Sequence, residues 1–173
     1  PAEDSIELRR AVIDTARAMN GAGINVNKAG NVSVRCVRGR QAGLLITPTG
    51  LDYDELQPAE LPFLRLADGA ATGGCEPSSE WRFHLDIHRA RPELAAIVHT
   101  HSPSATALAC HGRGIPAFHY MVAAAGGADI RCAPYATFGT QQLSDLALAA
   151  LTGRKACLLA HHGVIACEAS LAQ

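Results

Sequence analysis

The residues with the clearest chemical potential are histidines that follow two apolar runs of the chain. His99 and His101 come directly after the run 95–98, and His161-His162 interrupts a second apolar region, 157–167. Residues two apart on a strand face the same side, so the first pair could direct both imidazoles at one ion. A third imidazole from the second pair would complete three protein ligands with one open position, which is typical of catalytic zinc.

Two other patterns resemble known motifs but lack an essential part. His84 and His88 have the spacing of a helical zinc-protease motif, but Leu85 stands where that motif needs a glutamate, so a packing or helix-face role is expected. Gly21-Ala22-Gly23 begins like a dinucleotide-binding loop, but it follows a predicted helix and lacks the third glycine. The sequence therefore predicts neither a protease nor a dinucleotide site.

Three turns combine glycine or proline with small hydroxyl or amide side chains. They are Gly30-Asn31-Val32-Ser33, Thr47-Pro48-Thr49-Gly50 and Pro77-Ser78-Ser79-Glu80. Backbone N–H groups at such turns, and at the start of a helix after Ser79, are suited to hold a phosphate. Ordinary capping or turn formation explains each turn equally well, so only their convergence in space would make a site.

The elements that must position these residues follow from apolar spacing and from turn residues. The spacing predicts helices over 5–20, 80–91, 104–110 and 141–151, with strands over 32–37, 44–47 and 95–98 and a strand pair within 157–167. A serine of Pro77-Ser78-Ser79 is expected to cap the second helix. Because helices and strands interleave, we expect one α/β domain over 1–173, with a central mixed, mainly antiparallel β-sheet flanked by helices.

Composition narrows the classes of function. A chain of 173 residues with 48% hydrophobic residues can bury a core without a structural metal, so any metal is expected to be functional. The formal charge of -1 argues against nucleic-acid binding. The longest stretch without Asp, Glu, Lys or Arg is 94–112, and it contains three histidines, so no membrane span is expected. With no C-x-x-C pair and no signal-peptide pattern near the start, the six cysteines are expected as free thiols in the cytoplasm.

Seven blocks of the chain resemble, in order and in approximate spacing, the class II sugar-phosphate aldolases, among which the bacterial fuculose-phosphate aldolases are the most similar. The blocks are Gly30-Asn31-Val32-Ser33-Val34-Arg35, Leu45-Ile46-Thr47-Pro48-Thr49-Gly50, Pro77-Ser78-Ser79-Glu80-Trp81-Arg82-Phe83-His84, His99-Thr100-His101, Ile115-Pro116-Ala117-Phe118-His119-Tyr120-Met121, Cys132-Ala133-Pro134-Tyr135-Ala136-Thr137-Phe138-Gly139-Thr140 and His161-His162-Gly163. Chance could produce one block but not seven in order. The resemblance covers essentially the whole chain from residue 5 onward.

The resemblance implies the fold shared by class II aldolases and the adducin head, and a zinc enzyme. One Zn²⁺ per subunit would be held by His99, His101 and His162. Glu80 would be the carboxylate beside the metal, and Tyr120 would reach the aldehyde end of the substrate across a subunit boundary of a homotetramer. The residues implied to hold the substrate phosphate are Asn31, Thr49, Gly50, Ser78 and Ser79.

The implied reaction is the reversible cleavage of a deoxy-ketose 1-phosphate, similar to L-fuculose 1-phosphate, into dihydroxyacetone phosphate and a short aldehyde. Two departures from the family accompany this prediction. Lys28 stands where the most similar members have threonine, and its ammonium could reach the phosphate. The family's C-terminal helix and tail would lie beyond Gln173.

Other functions on the same scaffold remain open at this point. Aldolases for 5-deoxy- or 5-methylthio-ribulose 1-phosphate would look much alike. Ribulose-phosphate 4-epimerases and methylthioribulose-phosphate dehydratases share the His99-Thr100-His101 pattern and the phosphate turns, although segments 118–121 and 132–140 favour an aldolase. The adducin head keeps the fold as a non-catalytic assembly module, but the presence of all three histidines and Glu80 argues against that role.

Overall fold

The computed structural model describes residues 2–173 and contains four α-helices and nine strands within them. The helices are α1 (Ile6–Gly21), α2 (Trp81–Ala90), α3 (Pro103–Cys110) and α4 (Gln141–Ala150). The strands are β1 (Ala2–Glu3), β2 (Asn31–Arg38), β3 (Gln41–Ile46), β4 (Phe63–Arg65), β5 (Ala71–Thr72), β6 (Ala96–Thr100), β7 (Arg131–Ala133), β8 (Ala156–Leu159) and β9 (Gly163–Glu168). Two 3₁₀-helices cover Pro58–Glu60 and Tyr120–Ala125.

All nine strands belong to one sheet, with β6 and β9 near its centre. The order across the sheet is β5-β4-β3-β2-β6-β9-β8-β7, and β1 pairs separately with β2. Only the β1–β2 and β7–β8 pairs of the described chain are parallel, and every other pair is antiparallel. The predicted α/β fold with a mixed, mainly antiparallel sheet is confirmed.

Helix α1 covers one part of this sheet, and its sequence explains both its ends and its packing. The hydroxyl of Ser5 accepts a hydrogen bond from the backbone N–H of Leu8 at 3.2 Å, which caps the first turn. The buried face of α1 packs against β2 and β3, and it consists of Val12, Ile13, Ala16 and Met19. The predicted amphipathic helix over 5–20 is therefore confirmed to within one residue at each end.

Helices α2 and α4 cover the other half of the sheet. Thr140 caps α4, because its hydroxyl accepts from the backbone N–H of Leu143 at 3.2 Å. The apolar core between these helices and strands β6 to β9 includes Phe83, Ile87, Ile97, Leu143, Leu159 and Ile165. This packing fixes the ends of β6 and β9, from which the histidines singled out in the sequence project.

The start of α2 differs from the prediction of a serine cap. Glu80 is the N-cap residue, and its own side chain makes no capping hydrogen bond. Ser78 lies two residues too early to cap the helix, and its hydroxyl instead accepts from the backbone N–H of Glu80 at 3.3 Å. The carboxylate of Glu80 is thereby left to turn away from the helix, toward the histidines.

Several other expectations concern the interior of the molecule. His84 and His88 lie on α2 with no exposed surface, as the packing interpretation predicts. Within residues 2–173 all six cysteines are free thiols. Across that same range no helix has both the length and the apolar character needed to cross a bilayer.

Candidate active site

Three histidines converge where β6 ends and β9 begins. His99 is the fourth residue of β6 and lies opposite Ile165 of β9, while His101 follows directly after the strand. His162 is the last residue before β9. Its neighbour His161 has a left-handed backbone, with φ of 57°, and this turn between β8 and β9 directs His162 into the cluster.

The geometry of this histidine cluster suits a metal ion. The ring centroids form a nearly equilateral triangle with separations of 5.0, 4.8 and 5.1 Å, and one nitrogen from each ring lies within 4.8 Å of the others. The Nδ1–H of His99 donates to the Val164 carbonyl oxygen at 3.0 Å, so Nε2 of a neutral ring keeps a free lone pair. That nitrogen lies 3.1 Å from Nε2 of His101. The three imidazoles can therefore hold one metal ion.

Two glycines allow the backbone to pass close to this cluster. A Cβ atom on Gly163 would lie 2.5 Å from the Thr100 carbonyl oxygen and 3.1 Å from Cδ2 of His101. A Cβ atom on Gly30 would lie 2.4 Å from the carbonyl oxygen of His99. The separations of 2.5 and 2.4 Å from carbonyl oxygens are shorter than real Cβ atoms adopt, so any side chain at Gly163 or Gly30 would force the neighbouring backbone to shift.

Glu80 lies beside the histidines and is almost entirely buried, with 5% of its surface exposed. Its Oε2 is 3.2 Å from Nε2 of His99 and accepts from Nδ2 of Asn31 at 3.0 Å, while Oε1 is 3.3 Å from Nε2 of His162. Burial alone would raise the pKa of this carboxyl group. When the His99 ring carries both hydrogens, its hydrogen bond and its charge, with smaller effects of the charge of His162 and of the hydrogen bond from Asn31, outweigh burial and lower the pKa to about 2. When the rings are neutral, as metal ligands must be, a bound cation would supply that positive charge.

One oxygen of this carboxylate has no hydrogen bond. Oε1 of Glu80 is buried and faces the imidazole of His162, whose own pKa burial lowers to about 4. A buried carboxylate oxygen without a donor is costly unless a cation or a substrate proton satisfies it. Together with three convergent imidazoles, this oxygen fits a site built to hold a metal ion and a reacting group.

A cavity of about 330 Å³ opens at the cluster. Its lining includes Glu80, His101 and His162 together with the aromatic residues Tyr135 and Phe138. No site role was predicted for the two aromatic residues or for Ala29, which also lines the cavity, and of the pair His161-His162 only His162 was predicted as a ligand, although His161 lines the cavity as well. For Tyr135 and Phe138 the available signal was their place in the family-like block 132–140.

The predicted phosphate turns come together next to this cavity. Pro48 and Pro77 form an antiparallel bridge, and the backbone N–H of Ser78 donates to the Thr47 carbonyl oxygen at 3.1 Å. Ser79 lines the cavity itself. The Nζ of Lys28 donates to the Gly50 carbonyl oxygen at 2.6 Å, so this ammonium group lies at the turn that contains Thr49 and Gly50.

Two predicted site residues lie elsewhere than the simplest interpretation suggests. Both polar atoms of the Asn31 side chain have buried partners, Glu80 and His84, so this amide lies behind the carboxylate; its predicted phosphate contact stays a prediction. Tyr120 belongs to the 3₁₀-helix Tyr120–Ala125, is 80% exposed and does not line the cavity of its own chain. Its predicted role therefore depends on a second subunit.

Comparisons with known proteins identify the family of this chain. Residues 10–173 match the model of the family described as Class II Aldolase and Adducin N-terminal domain. A 5-methylthioribulose-1-phosphate/5-deoxyribulose-1-phosphate aldolase of Rhodospirillum rubrum is 57% identical over 93% of this chain and 71% of its own, and the L-fuculose phosphate aldolase of Escherichia coli K12 is 50% identical over 95% and 74%. A solved L-fuculose 1-phosphate aldolase superposes with a TM-score of 0.90 at 36% identity, covering 96% of this chain and 77% of its own. The chain belongs to the class II aldolase and adducin N-terminal domain family and is an aldolase of that family.

Proposed function

We propose that the enzyme cleaves a deoxy-ketose 1-phosphate reversibly to dihydroxyacetone phosphate and a short aldehyde, with one Zn²⁺ per subunit. The single observation that carries this proposal is the convergence of His99, His101 and His162 with the buried carboxylate of Glu80 at one cavity. This combination supplies three neutral ligands and one group able to move a proton. An assembly module would need neither.

The metal would be held by the three imidazoles. Zinc is the ion proposed because three neutral nitrogen ligands with an open position form a common catalytic zinc site. When bound, the ion supplies Lewis-acid stabilisation of the negative charge that develops on substrate oxygens as the carbon–carbon bond breaks. The hydrogen bond from His99 to Val164 fixes the ring so that its Nε2 faces the other ligands.

Glu80 is proposed as the group that transfers a proton at the carbon of dihydroxyacetone phosphate. Its low pKa keeps it ionised at neutral pH, which is the form needed to remove that proton in the direction of synthesis. In the direction of cleavage Glu80 must first take up a proton from solvent, which it then delivers to the carbon that keeps the electron pair of the broken bond. Tyr120, from a neighbouring subunit, would exchange the proton of the aldehyde oxygen.

The phosphate is proposed to bind where the turns meet. The proposed donors are the hydroxyl groups of Thr49, Ser78 and Ser79 and the backbone N–H groups of Gly50 and Ser79, and Asn31 is retained from the family prediction. The backbone N–H groups of Thr49 and Ser78 instead join the turns to each other. Lys28 adds a positive charge at the same turn through its contact with Gly50. A dianionic phosphate is stabilised by such charge-assisted hydrogen bonds.

Two kinds of substrate of this class have specific support. The relatives act, by their names, on L-fuculose phosphate or on 5-methylthioribulose 1-phosphate and 5-deoxyribulose 1-phosphate. Of the second kind, the Rhodospirillum rubrum enzyme is 57% identical but an Escherichia coli enzyme only 42%, while the L-fuculose phosphate aldolase of Escherichia coli K12 is 50% identical. Tyr135 and Phe138 give the cavity an aromatic wall, which suits an aldehyde that ends in a methyl or methylthio group. The two candidates share the phosphate end and differ only at this aldehyde end.

A homotetramer with the active site at the subunit interface is proposed as the working form. The segment 115–139 exposes several large apolar side chains, including Phe118 (74%), Tyr120 (80%), Met121 (57%), Tyr135 (59%) and Phe138 (63%). A patch of this kind favours association with another chain. Six free thiols support the expected cytoplasmic location.

The test is a product assay with the metal-loaded protein. L-fuculose 1-phosphate, 5-deoxyribulose 1-phosphate and 5-methylthioribulose 1-phosphate are each supplied, and release of dihydroxyacetone phosphate is followed by a coupled reduction. We expect release from at least one of them, and the order of kcat/KM values identifies the aldehyde. Epimerisation or dehydration without a three-carbon phosphate product would contradict the proposal.

A matched variant excludes a contaminating activity. His99→Ala removes one proposed ligand, and because the core does not depend on a metal, the variant is expected to fold. We expect it to lose both bound metal and product release. Undiminished product release from the His99→Ala protein would show that the cluster is not the site of the reaction.

A further inference from the structure

Behind Glu80 lies a chain of buried polar side chains of which the proposed reaction uses only the first, Asn31. It runs from Asn31 to His84, then to Ser33 and to His88, and each of these four residues is at most 3% exposed. The successive distances are 2.5 Å from Asn31 Oδ1 to His84 Nε2, 2.7 Å from His84 Nδ1 to Ser33 Oγ, and 2.9 Å from Ser33 Oγ to His88 Nε2. Two histidines without any exposed surface are costly in a core unless they are hydrogen-bonded.

The chemistry of the partners fixes the direction of these hydrogen bonds. Nδ2 of Asn31 donates to Glu80, so Oδ1 faces His84 and can only accept; Nε2 of His84 must carry the hydrogen. In a neutral His84 ring Nδ1 is then an acceptor, and it receives the hydroxyl hydrogen of Ser33. The Ser33 oxygen in turn accepts from Nε2–H of His88. Every hydrogen in this chain therefore points toward Glu80.

Both rings are neutral at neutral pH. Burial holds the pKa of His84 well below its ordinary value, and burial together with the charge of Arg35 lowers the pKa of His88 to about 3. Two neutral rings and the Ser33 hydroxyl supply three hydrogens for the four contacts that the two histidines make. The contact left without one is between Nδ1 of His88 and the Leu94 carbonyl oxygen, the longest at 3.2 Å and the farthest from Glu80.

We propose that His84 is a positioning residue for Glu80, acting through Asn31, and that Ser33 and His88 fix the hydrogen of His84 on Nε2. This proposal rests on the proposed role of Glu80 in proton transfer. If His84 carried its hydrogen on Nδ1 instead, the Asn31 amide would turn over to donate to it. Oδ1 of Asn31 would then face the Glu80 carboxylate, and two acceptors would repel each other at the site of proton transfer.

The first test measures the hydrogen position directly. In uniformly ¹⁵N-labelled protein, long-range ¹H–¹⁵N correlations of imidazole rings distinguish the two neutral forms of histidine. We expect His84 with its hydrogen on Nε2 in the wild-type protein at pH 7.5. A hydrogen on Nδ1 would overturn the proposal, and this measurement needs no substitution that could impair folding.

The second test uses two matched variants of the same position. In His84→Gln the amide nitrogen can reach the place of Nε2 and donate to Asn31, whereas in His84→Asn the shorter amide ends near Nδ1 and leaves Asn31 without its donor. We expect His84→Asn to lose about 100-fold in kcat, the effect of a misplaced catalytic group, while KM and bound metal stay unchanged. His84→Gln should keep most of the wild-type kcat.

A merely structural role for His84 predicts a different result. Both variants would then lose stability in thermal unfolding, and the kcat per folded molecule would be the same for the two; equal kcat values overturn the proposal. Failure of the proposed function is distinguished by Glu80→Gln. If Glu80→Gln retains full activity, the role of Glu80 is wrong, whereas a large loss there with equal His84 variants refutes only the positioning role.

Discussion

The close packing of Gly163 against β6 leads to a quantitative prediction for Gly163→Ala. The new methyl group would lie 2.5 Å from the carbonyl oxygen of Thr100, which is the residue between two of the proposed metal ligands. Separations below 3.0 Å are essentially never seen for real Cβ atoms, so β6 and β9 must move apart by at least about 0.5 Å at this point. His99 and His101 would then move relative to His162.

This displacement is large compared with what a metal site tolerates. Metal–ligand distances are held to about 0.2 Å, and disturbing the groups that orient metal ligands typically costs about 10- to 100-fold in metal affinity. Overpacking of a well-filled region costs about 1–3 kcal/mol of stability. We therefore expect the Gly163→Ala protein to fold with a free energy of unfolding lowered by about 1–3 kcal/mol. We also expect it to bind zinc at least about tenfold more weakly.

Competition with a chelator measures the zinc affinity, and denaturant unfolding of the metal-free protein measures the stability. The control is Gly21→Ala at the end of α1, where a Cβ atom meets nothing within 4 Å and the backbone is ordinary. This control should leave zinc affinity unchanged. If Gly163→Ala binds zinc as tightly as the control does, the prediction is wrong, and the close approach of the two strands does not hold the ligands in place.

Three further predictions test the charged groups in and around the site. Glu80→Gln should keep its metal but lose about 10²- to 10⁴-fold in rate; exchange of the dihydroxyacetone phosphate α-proton with solvent at the normal rate would contradict this. Lys28→Ala should weaken substrate binding by about 1.5–3 kcal/mol and so raise KM, with little change in kcat, because a phosphate contact is made equally in ground and transition states. A fall in kcat alone would show that Lys28 does not bind the phosphate. His88 takes up a proton below pH 6.5 in the unfolded chain but only near pH 3 in the folded one, so the free energy of unfolding should fall as the pH drops from 6.5 toward 3. His88→Gln, unfolded in denaturant at pH 7.5 and 5.0 without metal, should show a smaller fall, and an unchanged fall would exclude this cause.

The elements with a strong periodic pattern could be predicted from the sequence to within a few residues. Helix α1 has apolar residues at helical spacing and a serine at its start, so the pattern alone determines its buried face. The convergence of the three histidines required the family resemblance as well. Nothing in the local sequence says that β6 and β9 are neighbours in the sheet, because strand pairing between distant parts of a chain is decided by the whole fold.

The sequence-based predictions that failed or were missing share a physical cause. Polar side chains that could make a local hydrogen bond instead bind residues far away in the sequence. Ser78 and Ser79 look like caps for α2, but Glu80 occupies the cap position and its carboxylate is drawn to His99 instead of to the helix. The hydrogen bonds of Asn31 to a carboxylate and a histidine join residues about 50 positions apart, so no local pattern predicts them. Tyr135 could be recognised as part of a family-like block but not as a wall of the cavity.

The long connection between the two central strands has a consequence for how the metal ion exchanges. The hydrogen bond from the His99 ring to the Val164 carbonyl oxygen joins positions 65 residues apart, and closing a loop of that length costs chain entropy. Apolar burial around β6 and β9 already offsets that entropy, so the ion does not have to gather its ligands from a disordered chain as it does in a zinc finger. We therefore expect the ion to enter and leave a preassembled site from the side of His101 and His162, which are less deeply buried than His99, without unfolding of the sheet. The identity of the bound ion would then follow the supply of divalent metals around the folded enzyme, and not the conditions under which the chain folded.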